Sequence, residues 1–366
     1  MGSLFSTALL ALAAAQSGVP AETARPEADF LRRCEADGVR LWGRGLCAPI
    51  VVVDRATGSF RTSRPAPGPL PADPAALAEI LFHEAWHGQQ VALGFPGNNT
   101  TSVHLEETRA RYWLRLEWAA LTEALTAQGQ SQRRHIAQAL AFRERRLHGR
   151  PEAAAAERAL MRHEGLASYT GAALSGDPVR RALVALRDGP QRPAFGRSFA
   201  YVSGPAWGLL LDRFRPGWRQ QARSGLDLPE MMPVPAARTA NADAYGGPRL
   251  LVQETRAGRE REERIATAVA ATAENRGLRL PLTQMGLDFD PDRVSTAPDG
   301  STIYHRITLR DRWGRVSAEG VGLRILPDFH TAFAPWPLPH GALQLTEGWR
   351  IEERPGGGAR LIPPGP

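Results

Sequence analysis

Two histidines four residues apart, with a glutamate directly after the first, give the strongest chemical signal in this 366-residue chain. They are His83, Glu84 and His87, in the pattern His-Glu-x-x-His. On a helix, positions i and i+4 lie on one face, so both imidazoles can bind the same Zn²⁺ ion. Glu84 lies beside them and can take a proton from a water held by that ion. A random chain of this composition contains the pattern only about 0.02 times, which favours a metal site.

The flanking residues predict the helix that these side chains need. Asp73 is a suitable N-cap, and Pro74 suits the first helical position. Gly94 and Pro96 then predict that the helix ends about twenty residues after it begins. Both histidines fall inside this predicted helix.

A catalytic zinc site needs a third protein ligand and an open fourth position. The leading candidate is Glu164, because the small and apolar residues after it would let its helix approach the helix of the histidines closely. The other acidic candidates lie in arginine-rich segments, where their carboxylates can equally form surface ion pairs. These other candidates are Glu106, Glu107 and Glu117, with His104 and His163 as weaker alternatives.

Three short motifs in order resemble a known family. The His-Glu-x-x-His pattern is followed by Glu164-Gly165-Leu166-Ala167 and then by Tyr201-Val202-Ser203-Gly204. This arrangement is similar to the gluzincin zinc peptidases, particularly the aminopeptidase N type. The resemblance covers about 130 residues. It implies a mainly helical, zincin-like catalytic domain that hydrolyses peptide bonds, with a peptide or protein as its substrate.

The resemblance also implies roles for particular residues. The Zn²⁺ ligands would be His83, His87 and Glu164, and Glu84 would be the general base. Tyr201 would donate a hydrogen bond to the tetrahedral oxyanion, with Tyr169 as a second candidate for that role.

The chain departs from the family in two ways. In aminopeptidases of this type the spacer before the third ligand is short, whereas 76 residues separate His87 from Glu164 here. Glu106 and Glu107 fit the family spacing better, with 18 and 19 intervening residues, so they stay open as third ligands. The chain also has no Gly-x-Met-Glu-Asn-type segment to capture a substrate amine, so exopeptidase specificity is not carried over.

The order of the patterns predicts an α+β chain. Residues 1–18 have the length and apolar character of a signal peptide, and residues 19–72 contain two short strand patterns and a Pro-rich connector. Residues 73–277 are helical in pattern. Residues 278–366 change to a period of two, with a hairpin over 302–325. We therefore expect a helical catalytic domain with a short N-terminal β region and a C-terminal β-rich domain.

Cysteine usage bears on the cellular compartment. Cys34 and Cys47 are the only cysteines, and in an exported protein they would form a disulfide, whereas in the cytosol they would be two thiols. Together with the apolar N-terminal run, they favour export to the periplasm or the medium. No later segment approaches 18 uninterrupted apolar residues, so no transmembrane segment is predicted in the mature chain.

The charge of the chain is basic, with 45 arginines, no lysine and 38 acidic residues. The arginines are interleaved with Glu and Asp along the helical segments rather than gathered in one block, which argues against a specific nucleic-acid partner. The alternative to an enzyme is a non-catalytic exported binding protein on a metallopeptidase-like scaffold.

Overall fold

The computed structural model describes residues 24–47, 73–95, 97, 100–290 and 293–365. The predicted signal peptide and both predicted N-terminal strands lie outside these residues. The chain divides into two compact units, and the predicted α+β class is confirmed, since helices precede a C-terminal sheet. The helical unit comprises the described residues up to His104 with Tyr112–Gln191 and Gly196–Pro248, and the sheet unit comprises Leu105–Arg111, Arg192–Phe195 and the residues from Arg249 onward.

Long helices occupy most of the described chain before residue 272. In order they are α1 (Ala24–Trp42), α2 (Pro74–Gln89), α3 (Thr108–Thr126), α4 (Gly129–Leu147), α5 (Pro151–Leu160), α6 (Leu166–Leu174), α7 (Pro178–Asp188), α8 (Ser198–Phe214), α9 (Trp218–Ala222) and α10 (Gly247–Ala271). One turn of π-helix, Met161–Gly165, joins α5 to α6. None of the helices among the described residues is both long enough and apolar enough to cross a membrane.

The first helix, α1, precedes the two strands that the sequence predicts within residues 19–72, and no sequence pattern indicated it. Phe30, Cys34 and Trp42 are buried, and their separations of four and eight residues put them on one helical face. This apolar stripe explains why the segment is a helix. Cys34 forms a disulfide with Cys47, which ties α1 to the segment that follows it.

Helix α2 begins where the sequence predicts. The side chain of Asp73 accepts a hydrogen bond of 3.0 Å from the backbone N–H of Ala75, which caps the first turn. The inner face of α2 packs on α1, where the rings of Phe82 and Phe30 lie 4.9 Å apart in an edge-to-face arrangement. The histidine pattern therefore stands on a helix that is fixed at its start and along its inner face.

Glycines allow two pairs of elements in the helical unit to approach one another closely. A Cβ atom at Gly171 of α6 would lie 2.3 Å from the carbonyl oxygen of Glu79 on α2. A Cβ atom at Gly204 of α8 would lie 2.4 Å from the carbonyl oxygen of Gly165 in the π-turn. A larger residue at either position would push the backbones apart, so these glycines set how closely α6 packs on α2 and α8 on the π-turn.

Helix α8 begins earlier than the sequence predicts. The proline at position 205 suggests a start near Gly204, yet the helix begins at Ser198, so Tyr201 lies within the first turn. Phe199 and most of its neighbours are buried, and this packing outweighs the local signal of the proline. Pro205 is consequently inside the helix, where it has no N–H to donate to the carbonyl of Tyr201.

Strands form one sheet in the sheet unit. They are β1 (Leu278–Pro281), β2 (Gly286–Phe289), β3 (Val294–Thr296), β4 (Thr302–Asp311), β5 (Gly314–Ile325), β6 (Thr331–Ala334), β7 (Leu343–Leu345), β8 (Arg350–Glu353) and β9 (Ala359–Ile362). Their order is β2-β4-β5-β6-β1-β9-β8, with β3 also on β4 and β7 also on β5. The predicted hairpin is present as antiparallel β4 and β5, while β1 and β9 pair in parallel.

The sheet unit begins before residue 278, where the strand pattern starts. Most of α10 belongs to it, because the unit includes the chain from Arg249 onward. Ala268 of this helix is buried in a small cluster with Ala297 and Ile303, and Ile265 packs against it. Helical periodicity alone does not reveal that the end of α10 packs with strands.

Candidate metal centre

Three side chains of the helical unit converge on one point, and we call them the candidate centre: His83 and His87 from α2, and Glu164 from the π-turn. His87 Nε2 lies 3.2 Å from His83 Nε2 and 3.2 Å from Glu164 Oε2. His83 Nε2 lies 3.5 Å from the same carboxylate oxygen. This is the one such group of three or more His, Cys, Asp or Glu side chains within the described part of the chain.

The separations between these ligand atoms suit a small tetrahedral metal ion. In tetrahedral sites Zn²⁺ binds nitrogen and oxygen at about 2.0–2.1 Å, which places neighbouring ligand atoms about 3.3–3.4 Å apart. The three observed separations of 3.2, 3.2 and 3.5 Å lie around that value. Two imidazoles and one carboxylate also favour Zn²⁺ over Mg²⁺ or Ca²⁺, which prefer oxygen ligands. The residues therefore fit a zinc ion.

Hydrogen bonds behind the rings hold both imidazoles in the orientation that a metal requires. His87 Nδ1 lies 3.0 Å from the acceptor Gln90 Oε1, so Nδ1 donates to this partner and Nε2 is the ring nitrogen directed at the candidate centre. His83 Nδ1 lies 3.2 Å from Ser168 Oγ, which can accept a hydrogen bond in the same way. Partners of this kind fix the tautomer and the orientation of ligand histidines.

The π-turn brings Glu164 to the histidines. A π-helical turn widens the helix locally, which turns the side chains after α5 away from their α-helical directions. Gly204 on α8 has no side chain, which allows its backbone to approach Gly165, directly after the ligand candidate. The side chain of Glu164 is consequently enclosed, with only 6% of it exposed.

Charge within the candidate centre is balanced by the ligands themselves. Burial opposes ionisation of Glu164, but hydrogen bonds to His83 and His87 and the charges on these rings outweigh it and hold the pKa of its carboxyl well below its usual range. Burial also opposes protonation of His87, yet the hydrogen bond to Glu164 and its charge raise the pKa of that imidazole. A cation that enters the centre therefore competes with a proton on His87.

Arg197, directly before α8, belongs to the surroundings of the candidate centre, although no sequence motif marked it. Its Nη2 donates a hydrogen bond of 2.7 Å to Glu164 Oε1, the carboxylate oxygen that faces away from the histidines. Tyr201 follows four residues later, and its ring stacks on His83 with centroids 5.4 Å apart. The spacing of Arg197, Tyr201 and Gly204 places all three on one helical face, and that periodicity is the signal that could have identified the arginine.

Of the two predicted catalytic residues, Tyr201 lies next to the candidate centre, and Glu84 shares helix α2 with the two histidines. Glu84 is exposed on α2, one residue after His83. Tyr201 is half-buried, and burial together with the charge of Glu164 and a hydrogen bond to it raises the pKa of the phenol. The hydroxyl therefore keeps its proton at neutral pH and can donate a hydrogen bond.

His163 lies beside the candidate centre but is not one of the converging ligands. Its ring packs on His87 with centroids 4.8 Å apart, and its Nε2 lies 3.8 Å from Glu164 Oε1. Burial, together with the nearby charges of His87 and Arg197, outweighs the attraction of Glu164 and lowers the pKa of His163 to about 4. This imidazole is consequently neutral at pH 7.

The alternative ligands suggested by spacing lie elsewhere. Glu106 belongs to the sheet unit and accepts a hydrogen bond of 3.2 Å from Arg111. Neither Glu106 nor Glu107 is part of the converging group among the described residues. Tyr169, the second candidate for an oxyanion donor, is buried and donates to Asp212 at 2.8 Å.

The remaining alternatives belong to a buried ionic network, which we define as His104, Glu117, Arg146 and Glu157. Arg146 donates to Glu157 from Nε and Nη2 at 2.7 and 2.9 Å, and to Glu117 from Nη1 at 2.6 Å. His104 Nε2 lies 2.9 Å from Glu157 Oε1. All four side chains are therefore engaged in ion pairs away from the candidate centre.

Comparison with the models of known protein families, with curated protein sequences and with solved structures finds no match for this chain. The resemblance to gluzincins therefore rests on the three sequence motifs and stays a prediction.

Proposed function

We propose that this protein is a zinc-dependent peptidase of the gluzincin type that hydrolyses peptide bonds in a peptide or protein substrate. One observation carries the proposal, namely the convergence of His83, His87 and Glu164 at separations that fit tetrahedral zinc coordination. The metal would supply Lewis-acid polarisation of a carbonyl and activation of a water molecule.

The protein's own residues would perform the remaining steps. Glu84 accepts a proton from the attacking water and passes it to the leaving amine, a role supported by its exposed position beside His83. Tyr201 donates a hydrogen bond to the developing oxyanion, and its raised pKa keeps the necessary proton on the phenol. Its hydroxyl now bonds to Glu164, so it exchanges this partner for the substrate oxygen during the reaction.

Three protein ligands leave one tetrahedral position for a substrate or water. Catalytic zinc sites keep such an open position, whereas structural sites are closed by a fourth protein ligand. Within the described residues, the converging group contains three side chains and no fourth. This count supports a catalytic role over a structural one.

The test compares Glu84→Gln with the wild type, each loaded with one equivalent of Zn²⁺, on an unfolded, fluorescence-quenched casein substrate. We expect the variant to keep about one zinc per chain and to lose about 10²- to 10⁴-fold in hydrolysis rate. Glu144→Gln is the matched control, because Glu144 is an exposed glutamate on α4, and it should behave like the wild type. A Glu84→Gln variant as active as the wild type would contradict the proposal. Tight zinc binding without hydrolysis by the wild type would favour the non-catalytic binding protein instead.

We also propose that the protein is exported, to the periplasm or the medium. The disulfide between Cys34 and Cys47 supports this location, because such bonds persist mainly in oxidising compartments. Expression of the full chain in a bacterium, followed by fractionation and thiol labelling, provides the test. Recovery of the chain in the cytosol with both thiols reduced would contradict export.

A further inference from the structure

We propose that Arg197 is a positioning residue for the metal, which holds one oxygen of Glu164 so that the other is directed at the two histidines. The inference rests on the proposed zinc site. It assigns a specific task to an arginine that is outside the three sequence motifs.

The two oxygens of Glu164 have different partners. Oε1 accepts the hydrogen bond of 2.7 Å from Arg197 Nη2, and Oε2 lies 3.2 and 3.5 Å from the imidazole Nε2 atoms of His87 and His83. A charge-assisted bond of this length is among the stronger hydrogen bonds in proteins. Because Oε1 is occupied, the carboxylate meets a metal through Oε2 alone, which leaves the remaining coordination position open.

The fold holds Arg197 itself in place. Its Nη1 lies 3.4 Å from the carbonyl oxygen of Thr100, which gives the guanidinium a second anchor on the backbone. The helix that follows Arg197 directly is α8, and the close approach of its Gly204 to Gly165 fixes the distance between α8 and the π-turn. The arginine and the carboxylate therefore belong to two elements whose separation is set by backbone contact.

A purely structural ion pair would have different consequences. Loss of such a pair would lower the stability of the fold and leave the geometry of the bound metal unchanged. Arg143 and Asp227 form a matched pair of that kind, because their separation is 2.8 Å and their side chains are similarly enclosed. Arg143→Met is therefore the control for Arg197→Met.

The experiment measures Zn²⁺ affinity by competition with a chromophoric chelator and coordination geometry by the visible spectrum of the Co²⁺-loaded full-length protein. We expect Arg197→Met to bind Zn²⁺ about 10- to 100-fold more weakly than the wild type. We also expect a changed Co²⁺ spectrum, because a released carboxylate can rotate or bind through both oxygens. Arg143→Met should keep the wild-type affinity and spectrum even where its melting temperature falls.

A second variant keeps the test possible if Arg197→Met does not fold. Arg197→Lys keeps the positive charge but cannot reproduce the fork of the guanidinium, so it should retain the fold and bind Zn²⁺ with intermediate affinity. Wild-type affinity and spectrum in either folded Arg197 variant would overturn the positioning role and leave the proposed zinc site intact. Failure of the wild type to bind Zn²⁺ would overturn both.

Discussion

Two clusters in the helical unit contain the same residue types and differ in how they are arranged. The candidate centre combines His83, His87 and Glu164, with Arg197 behind the carboxylate, and the buried ionic network combines histidine, glutamate and arginine as well. In the network every close contact joins a positive or donor group to a carboxylate. In the candidate centre the Nε2 atoms of His83 and His87 face each other, and both lie close to one oxygen of Glu164, Oε2.

In the network each carboxylate is paired with a cation of the protein, whereas in the candidate centre three ligand atoms converge on one point. Arg146 occupies the middle of the network, between Glu117 and Glu157, so a cation of the protein already fills the position that a metal would take. Burial opposes the charge on Arg146, but both carboxylates outweigh it and raise the pKa of the guanidinium. In the candidate centre, as far as the structure describes the chain, the three ligand atoms face one another directly, and Arg197 bonds the other oxygen of Glu164. The same residue types therefore make a structural network in one place and a candidate metal site in the other.

The largest effect is expected from Arg146→Met, which removes the centre of the network. The change leaves two buried carboxylates without their cation, and breaking a buried ion pair in this way costs about 3–5 kcal/mol of folding free energy. Arg145→Met, an exposed neighbour on α4, should change stability by no more than about 0.5 kcal/mol. Urea unfolding followed by circular dichroism checks both values. If the two variants were equally stable, the buried network would contribute no more to folding stability than an exposed arginine does.

An effect of intermediate size is expected when one histidine is removed from each cluster. His83→Ala should weaken Zn²⁺ binding by about 3 kcal/mol, or about 150-fold, since zinc binding of about 10–16 kcal/mol is shared among a few ligands. His104→Ala should leave Zn²⁺ affinity unchanged and lower stability by about 1–3 kcal/mol, because Glu157 loses a buried partner. Isothermal titration and thermal melting separate the two outcomes. Loss of Zn²⁺ affinity in the folded His104 variant would contradict the assignment of His104 to the ionic network alone.

The smallest expected effect is a change in folding stability with pH. The charges of Arg146 and its hydrogen bonds, with that of His104, overcome burial and lower the pKa of Glu157 from 4.5 to about 2. The stabilisation is therefore complete above pH 4.5 and is lost as the pH falls towards 2, which amounts to about 2 kcal/mol between pH 6 and pH 3. Glu157→Gln should be less stable at pH 6 and should lose correspondingly less stability on acidification.

The control for this measurement is the exposed Glu144→Gln, which should follow the wild-type dependence on pH. Urea midpoints of the three proteins at pH 6 and pH 3 provide the data. A Glu157→Gln variant whose stability falls as steeply as that of the wild type would show that the network does not contribute to acid unfolding.

Sequence patterns predicted the elements with a strong local period. The cap at Asp73, the histidine spacing on α2 and the β4–β5 hairpin all depend on neighbouring residues, and all are present as predicted. The helix α1 and the early start of α8 were not predicted. In both places burial against other elements decides the conformation, and a single sequence does not state what an element packs against.

The spacing of His83 and His87 is enough to place both on one helical face, because the period of the α-helix fixes that relation locally. Tertiary packing brings Glu164 to the two histidines, and not Glu106 or Glu107, which fit the expected spacing better. The contacts of Gly171 with α2 and of Gly204 with the π-turn bring together elements that are far apart in sequence. Arg197 reaches the site by the same route, since its partner Glu164 lies 33 residues away along the chain and 2.7 Å away in space.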